Sequence, residues 1–175
     1  MANEIVYTVP SSSCMWIETS LVSSGNWWGF GYSNTAGSEV KGAIRFTGVA
    51  VAQGTSVNFA QIGMWFEERE GSQTVKGKIY GIDEDNTAAL NSGVWGRATT
   101  SATQTTDANG TDVNIYRTTD VTSIVNEIFA RGGWSSGNAL GFIFRDNGTT
   151  TGSGNNYFDE TPSGTNSYIA IRVSA

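Results

Sequence analysis

Residues 76–82, KGKIYGI, and residues 168–173, YIAIRV, decide the fold class of this chain. In both stretches the character of the side chains alternates with a period of two. That period places successive side chains on opposite faces of a β-strand. A strand that buries one face and exposes the other is typical of antiparallel sheets. The two stretches therefore predict antiparallel β structure.

Short β-branched and aromatic runs of the same kind recur along the chain, separated by Gly, Ser, Asn and Thr. The predicted strands are Glu4–Val9, Cys14–Ile17, Trp27–Tyr32, Gly42–Phe46, Val57–Glu67, Thr74–Ile82, Val113–Arg117, Leu140–Arg145, Asn156–Asp159 and Ser167–Val173. Many antiparallel strands with polar turns favour an all-β fold, a jelly-roll-like β-sandwich. With 175 residues the chain fits one domain, residues 1–175.

One segment, residues 120–131, follows a helical pattern instead. Its apolar residues stand at positions 121, 124, 125, 128 and 129, which form one stripe of an amphipathic helix. Asp120 or Thr119 can cap the start, and two glycines follow the end. We expect this short helix to cover one end of the sandwich. Two Thr/Ser/Asn/Gly tracts, Thr99–Thr111 and Thr149–Thr165, are predicted to be long loops.

The composition argues against most enzyme chemistry. Histidine is absent and there is one cysteine, Cys14, so imidazole-based catalysis, thiolate metal clusters and internal disulfides are excluded. Glu67 and Glu68 are adjacent on a predicted strand and point to opposite faces, so they cannot act as a glycosidase pair. Charged residues make up 15% of the chain, and Ser, Thr, Asn and Gly make up over two-fifths. We expect a non-enzymatic protein.

Charge and hydropathy also limit the classes of partner that we expect the protein to bind. The formal net charge is −6, and the ten Lys and Arg residues are spread along the sequence. Binding to phosphate groups needs a clustered basic face, so we expect no nucleic-acid partner. The sequence has no apolar run of 18 residues and no basic amphipathic helix, so we expect no membrane association. The first ten residues have no secretory-signal pattern.

Several segments resemble DNRLRE-type jelly-roll domains, relatives of carbohydrate-binding modules in cell-surface and phage proteins. The matching segments are 43–46 (AIRF), 60–66 (AQIGMWF), 79–83 (IYGID, followed by Asn86, Ala88 and Leu90), 120–128 (DVTSIVNEI) and 133–140 (GWSSGNAL). The resemblance places residues 41–175 in a family-like sandwich and leaves the N-terminal strands in residues 1–40 unmatched. It implies a β-sandwich without catalysis that contacts polysaccharides or builds surface structures. The chain departs from the family at residues 113–116, VNIY, where a Val-x-Trp strand is common, and in the long loop 149–165.

Aromatic residues are the candidate contact groups. The chain has six Trp and six Tyr, and exposed aromatic faces suit sugar rings or subunit contacts. In the pair Trp27 and Trp28, a strand must point one ring inward and the other outward. Trp95 is a further candidate. By their apolar or family-motif contexts, Trp16, Trp65 and Trp134 are expected to be core residues.

An acidic turn is a candidate structural calcium site. Asp83, Asp85 and Asn86 supply oxygen ligands of the kind that Ca²⁺ prefers, and Asp146 could join them if the fold brings it near. The segment is not an EF-hand, because Ala88 and Val94 stand where Gly and Glu would be required. Turn acids that only face solvent explain the residues equally well.

Two functions follow from these patterns. The first is a structural protein of a virion surface, such as a phage capsid decoration, head-fibre or tail protein, that forms a homo-oligomer and contacts other particle subunits. The alternative is an extracellular carbohydrate-binding module, cut from a larger secreted enzyme or adhesin, that binds a polysaccharide. Both hypotheses use the same fold, so the fold alone does not separate them.

Overall fold

The computed structural model describes residues 3–8, 14–18, 21–24, 27–33, 38–70, 75–108, 115–148, 154–159 and 167–173. Twelve β-strands lie in these ranges: β1 (Asn3–Thr8), β2 (Cys14–Glu18), β3 (Leu21–Ser24), β4 (Trp27–Ser33), β5 (Ser38–Phe46), β6 (Val57–Glu70), β7 (Val75–Ile82), β8 (Thr99–Ala108), β9 (Ile115–Asp120), β10 (Leu140–Asp146), β11 (Gly154–Asp159) and β12 (Tyr168–Val173). One α-helix, α1 (Thr122–Phe129), and a 3-10 helix (Ser92–Gly96) accompany them. Within the described ranges, no helix has the length and apolar character needed to span a bilayer.

The strands form two antiparallel sheets that pack as a sandwich. In the first sheet the order is β3-β2-β5-β10-β7-β8, and in the second it is β1-β12-β6-β9. The pair β4 and β11 joins the two sheets, because β4 also pairs with β5 and β11 also pairs with β6. The predicted β-sandwich with one helix is therefore confirmed.

Large aromatic side chains fill the space between the sheets. Trp28, Phe30 and Phe144 are fully buried, and the Phe144 ring centroid lies 4.6 Å from that of Trp28 and 5.7 Å from that of Phe30. Glycines make room for these rings. A Cβ atom on Gly42 would lie 2.7 Å from the Trp28 ring, and one on Gly77 would lie 2.3 Å from the Phe30 ring. The small residues of β5 and β7 therefore complement the large ones of β4.

Helix α1 covers one end of this core and is tied to both sheets. Ile124 and Ile128 are fully buried in the core. Asn126 accepts from the backbone N–H of Val57 at 2.8 Å and donates to its carbonyl at 3.0 Å, in β6. The Glu127 carboxylate accepts from two backbone N–H groups of β8, both at 2.7 Å. The predicted helix is confirmed, and its polar face as well as its apolar stripe fixes its position.

The start of α1 differs from the prediction in detail. The N-cap residue is Val121, whose side chain makes no capping hydrogen bond. Asp120 lies one residue earlier and accepts from the backbone N–H of Thr122 at 2.8 Å. The carboxylate therefore satisfies one free donor of the first turn from outside the N-cap position.

The predicted loop Thr99–Thr111 is wrong over most of its length, because residues 99–108 form strand β8 along β7. Threonine is β-branched and favours a pleated, half-buried strand even where apolar residues are few. Of the other predicted loop, Thr149–Thr165, residues 154–159 form strand β11, which contains the predicted strand Asn156–Asp159. The remainder of that loop lies outside the described residues.

Candidate functional site

An array of three aromatic rings lies on the outward face of the second sheet. We call Trp65 of β6, Tyr116 of β9 and Tyr168 of β12 the aromatic platform. The ring centroids of Trp65 and Tyr116 are 5.1 Å apart with planes inclined at 68°, and those of Tyr116 and Tyr168 are 5.5 Å apart at 62°. Tyr116 is 40% exposed, and the other two side chains are half-buried. Three strands thus present one continuous, corrugated aromatic surface.

Strand alternation and one glycine build this platform. Ile62 and Met64 point into the core, so their neighbours Gly63 and Trp65 face outward. Gly63 pairs with Thr118 of β9 on one side and with Tyr168 of β12 on the other. A Cβ atom on Gly63 would lie 2.2 Å from the Tyr168 ring, so that ring lies directly over the glycine backbone. The missing side chain is what lets tyrosines from two strands meet above the middle strand.

Polar groups border the platform. Gln61 pairs with Asp120 in the β6–β9 register, two residues from the Gly63–Thr118 pair. The side chains at these positions therefore share the outward face with the rings. Thr118 and Asp120 are exposed, and Gln61 is half-buried. The surface next to the rings thus combines hydroxyl, amide and carboxylate groups, which can donate to and accept from a polar ligand.

A polar groove of about 310 Å³ runs alongside, between β8 and β9. The two strands are the neighbouring edges of the two sheets, and across this edge the hydroxyls of Thr106 and Thr119 lie 2.8 Å apart in a hydrogen bond. The groove is lined by Gln104, Thr105, Thr106, Arg117, Thr118, Thr119 and Asp120. Because Thr118 and Asp120 border both features, the groove and the platform are continuous.

The contact residues proposed from sequence occupy different environments. Trp28 is fully buried against Phe144, so it is the inward ring of its pair and a core residue with no ring surface for a partner. Trp27 lies in β4 opposite Asp159, and its side chain lies outside the described residues. Trp95 is half-buried on the 3-10 helix, where it packs against a small cluster formed by Ala43, Ile82, Val94 and Ile143.

The core assignments made for the other tryptophans have mixed outcomes. Trp134 is 1% exposed and donates from Nε1 to the Val51 carbonyl at 2.9 Å, so its core role is confirmed. The core assignment of Trp65 is wrong, since its position in β6 faces outward. The side chain of Trp16 lies outside the described residues. The alternation of Ile62 and Met64 with Gly63 and Trp65 is the sequence signal that could have placed Trp65 on the surface.

The residues proposed for calcium are brought together only in part. The Arg131 guanidinium bonds both Asp83 and Asp85, with Nε 2.7 Å from Asp85 Oδ1, and these hydrogen bonds raise the pKa of Arg131. Asn86 accepts from the backbone N–H of Ala139, immediately before β10. Asp146 is at the other end of that strand, six residues after Leu140. At 3.3 Å per residue it lies about 20 Å from the start of the strand. Asp146 is therefore not part of one site with the other three, and a cation at the turn would have to displace Arg131. Among the described residues, no three His, Cys, Asp or Glu side chains are grouped to hold a metal.

Comparisons with known proteins identify no family for this chain. No family model matches the chain, and no curated protein matches it. Among solved structures, it is similar to the xylan-binding module CBM15 at 12% identity and a TM-score of 0.45, over 97% of each chain. It is also similar to Eiger TNF from S. frugiperda, at 9% identity and a TM-score of 0.36, over 99% of this chain and 93% of that one.

A third similar structure holds the CBM22-1 and GH10 modules of endo-1,4-β-D-xylanase 10B from Clostridium thermocellum, complexed with xylohexaose. The identity is 10% and the TM-score 0.36, and the match covers 98% of this chain and 29% of that one. At these scores the likenesses carry no conclusion about function.

Proposed function

We propose that this protein is a non-catalytic polysaccharide-binding β-sandwich, and that the aromatic platform is its binding surface. The observation that carries the proposal is the array of Trp65, Tyr116 and Tyr168 on an outward sheet face. Aromatic rings are amphipathic and bind the apolar faces of sugar rings, while neighbouring polar groups bind the hydroxyls. Gln61 and Thr118 stand beside the rings to do so.

The shape of the platform favours a particular kind of glycan. Neighbouring ring planes are inclined at 62° and 68°, so the surface is stepped rather than flat. A stepped surface matches a single hydrated chain better than the flat face of a crystalline polymer. The continuous groove, lined by threonine hydroxyls and the Gln104 amide, would extend contact along such a chain. We therefore expect a soluble polysaccharide as the ligand.

The test is affinity gel electrophoresis against a panel of soluble polysaccharides, with three variants. Tyr116→Ala removes the most exposed ring and should abolish retardation, whereas Tyr116→Phe keeps the ring and should preserve most of it. Val6→Ala is the matched control, because Val6 is 54% exposed on the same sheet and is not aromatic. If no polysaccharide retards the protein, or if Tyr116→Ala binds as well as the parent, the proposal fails.

A second candidate is the self-associating particle-surface protein. One observation favours it: Val6 and Tyr116, the large hydrophobic side chains exposed among the described residues, both lie on strands of the second sheet. Exposed apolar residues on one face can form a subunit contact. In that case the native mass would exceed that of the 18.6 kDa chain, and Val6→Glu would restore the monomer. A monomeric parent protein would remove this candidate and leave glycan binding intact.

A further inference from the structure

The outward face of the first sheet carries a row of positive charges. Arg145 of β10 is paired with Lys78 of β7. On the other side of β10, the register with β5 ends at the Phe144–Gly42 pair, and Lys41 is the next residue of β5. Because Phe144 points into the core, all three cations point outward. Arg145 and Lys78 are opposite each other on strands about 4.8 Å apart, and Lys41 lies on the same outward face, just beyond the last pair of β5 with β10. We call these three residues the cationic row.

Few carboxylates neutralise the charges of the cationic row. Lys78 Nζ lies 5.3 Å and Arg145 Cζ 5.8 Å from the centroid of the Tyr80 ring, so both cations contact the same aromatic side chain. Lys41 pairs with Glu39 at 3.4 Å. Within the described parts of the chain, neither Lys78 nor Arg145 has a carboxylate at ion-pair distance, and Arg145 Nε has no acceptor.

Two more arginines extend the positive charge. Arg45 lies on β5, four residues from Lys41, so the two side chains share the outward face. Its Nε donates to the Thr87 carbonyl at 2.6 Å, and burial together with the nearby Arg97 lowers its pKa. Arg97 pairs with Glu84 at 3.6 Å. With Lys76, two residues before Lys78 on β7, six of the ten basic residues in a chain of net charge −6 thus lie on one face, although they are spread along the sequence.

The cationic row includes a pair of like charges that disfavours folding. Like charges directly opposite each other on neighbouring strands destabilise a sheet, and Lys78 and Arg145 are such a pair. The row would become favourable if a ligand supplied negative charge. Arginine forms paired hydrogen bonds with carboxylates, and lysine binds them as a point charge.

We propose that the cationic row, together with the Tyr80 ring, binds the carboxylate groups of an acidic polysaccharide. A protein partner fits less well, because a protein interface has an apolar centre. On this face the apolar side chains Ala43, Ile82 and Ile143 are already covered by Val94 and its neighbours. Duplex nucleic acid also fits less well. It carries one charge per about 1.7 Å, a density that calls for a larger basic face than a row of three cations.

The inference does not depend on the aromatic platform, which lies on the opposite sheet. The experiment measures binding of the folded protein to polygalacturonate, alginate and hyaluronate by isothermal titration calorimetry at low ionic strength. Methyl-esterified polygalacturonate is the control polymer, since it has the same backbone without the charge. We expect binding to at least one carboxylated polymer, and loss of binding on esterification where the bound polymer is polygalacturonate.

The variants locate the site. Lys78→Gln and Arg145→Gln should each weaken binding about tenfold, the expected effect of losing one charge-assisted contact. Arg172→Gln removes the same charge from the exposed outward face of the second sheet and should change binding less than about twofold. Urea midpoints of all variants verify that they are folded.

Four outcomes would overturn the inference. The first is that none of the three carboxylated polymers binds, and the second is that Arg172→Gln weakens binding as much as Lys78→Gln. In the third, duplex DNA binds as tightly as the polysaccharide and is lost in the same variants. In the fourth, Tyr116→Ala abolishes binding of the acidic polymer while Lys78→Gln does not. That last result would place the polymer on the platform, so it would refute this inference and support the proposed function.

Discussion

Replacing Gly63 by alanine tests the packing that creates the aromatic platform. The new Cβ atom would lie 2.2 Å from Cε1 and 2.3 Å from Cζ of Tyr168, so the ring must leave its place over β6. Gly63 does not have the left-handed φ that would itself oppose alanine. The cost is therefore a steric one, carried by the Tyr168 ring.

Three contributions determine how much Gly63→Ala changes the free energy of unfolding. Overpacking costs about 1–3 kcal/mol. Loss of the edge-to-face contact between Tyr116 and Tyr168 costs about 0.5–1.5 kcal/mol. Alanine in a strand regains about 0.5–1 kcal/mol over glycine. We expect Gly63→Ala to lower the free energy of unfolding by about 2 kcal/mol, and to remove glycan binding by the platform.

The assay is urea denaturation followed by tryptophan fluorescence, in a double-mutant cycle with Tyr168→Ala. Without the Tyr168 ring, the alanine meets no clash and should stabilise the protein by up to about 1 kcal/mol. Gly132→Ala is the control, because a Cβ atom there meets nothing within 4 Å. Equal destabilisation by Gly63→Ala with and without the Tyr168 ring would refute the reasoning. It would show that the backbone, and not the ring, opposes the substitution.

Two further predictions concern charged groups. Arg131→Met should lower the free energy of unfolding by about 1–2 kcal/mol, because Asp83 and Asp85 lose their shared guanidinium partner. EDTA should leave the melting temperature of the parent protein unchanged, and a rise in melting temperature with added Ca²⁺ would contradict the view that Arg131 fills this site. Lys78→Gln should raise the free energy of unfolding by about 0.2–1 kcal/mol at low salt, because it relieves repulsion with Arg145. The gain should vanish near 1 M salt, and a loss of stability at low salt would refute the repulsion.

The sequence determined the fold class because the relevant signals are local. Alternation in residues 76–82 and 168–173 marks two-faced strands, and the spacing of apolar residues in 120–131 marks the helix. Each pattern depends on the geometry of one element, which neighbouring residues set by themselves. The strand Thr99–Ala108 was not predicted, because its sequence is β-branched but has few apolar residues. Its pairing with β7, which is not visible in the local sequence, stabilises it as a strand.

The candidate sites, by contrast, were decided by strand order and register. Tyr116 and Tyr168 are 52 positions apart in the chain and meet only because β6 lies between their strands with Gly63 at the crossing point. Lys41, Lys78 and Arg145 form one row only because β5, β10 and β7 are adjacent. A one-residue shift in register would turn each side chain to the opposite face. Composition therefore supplied the aromatic and basic residues, and long-range strand pairing alone determined which of them share a surface.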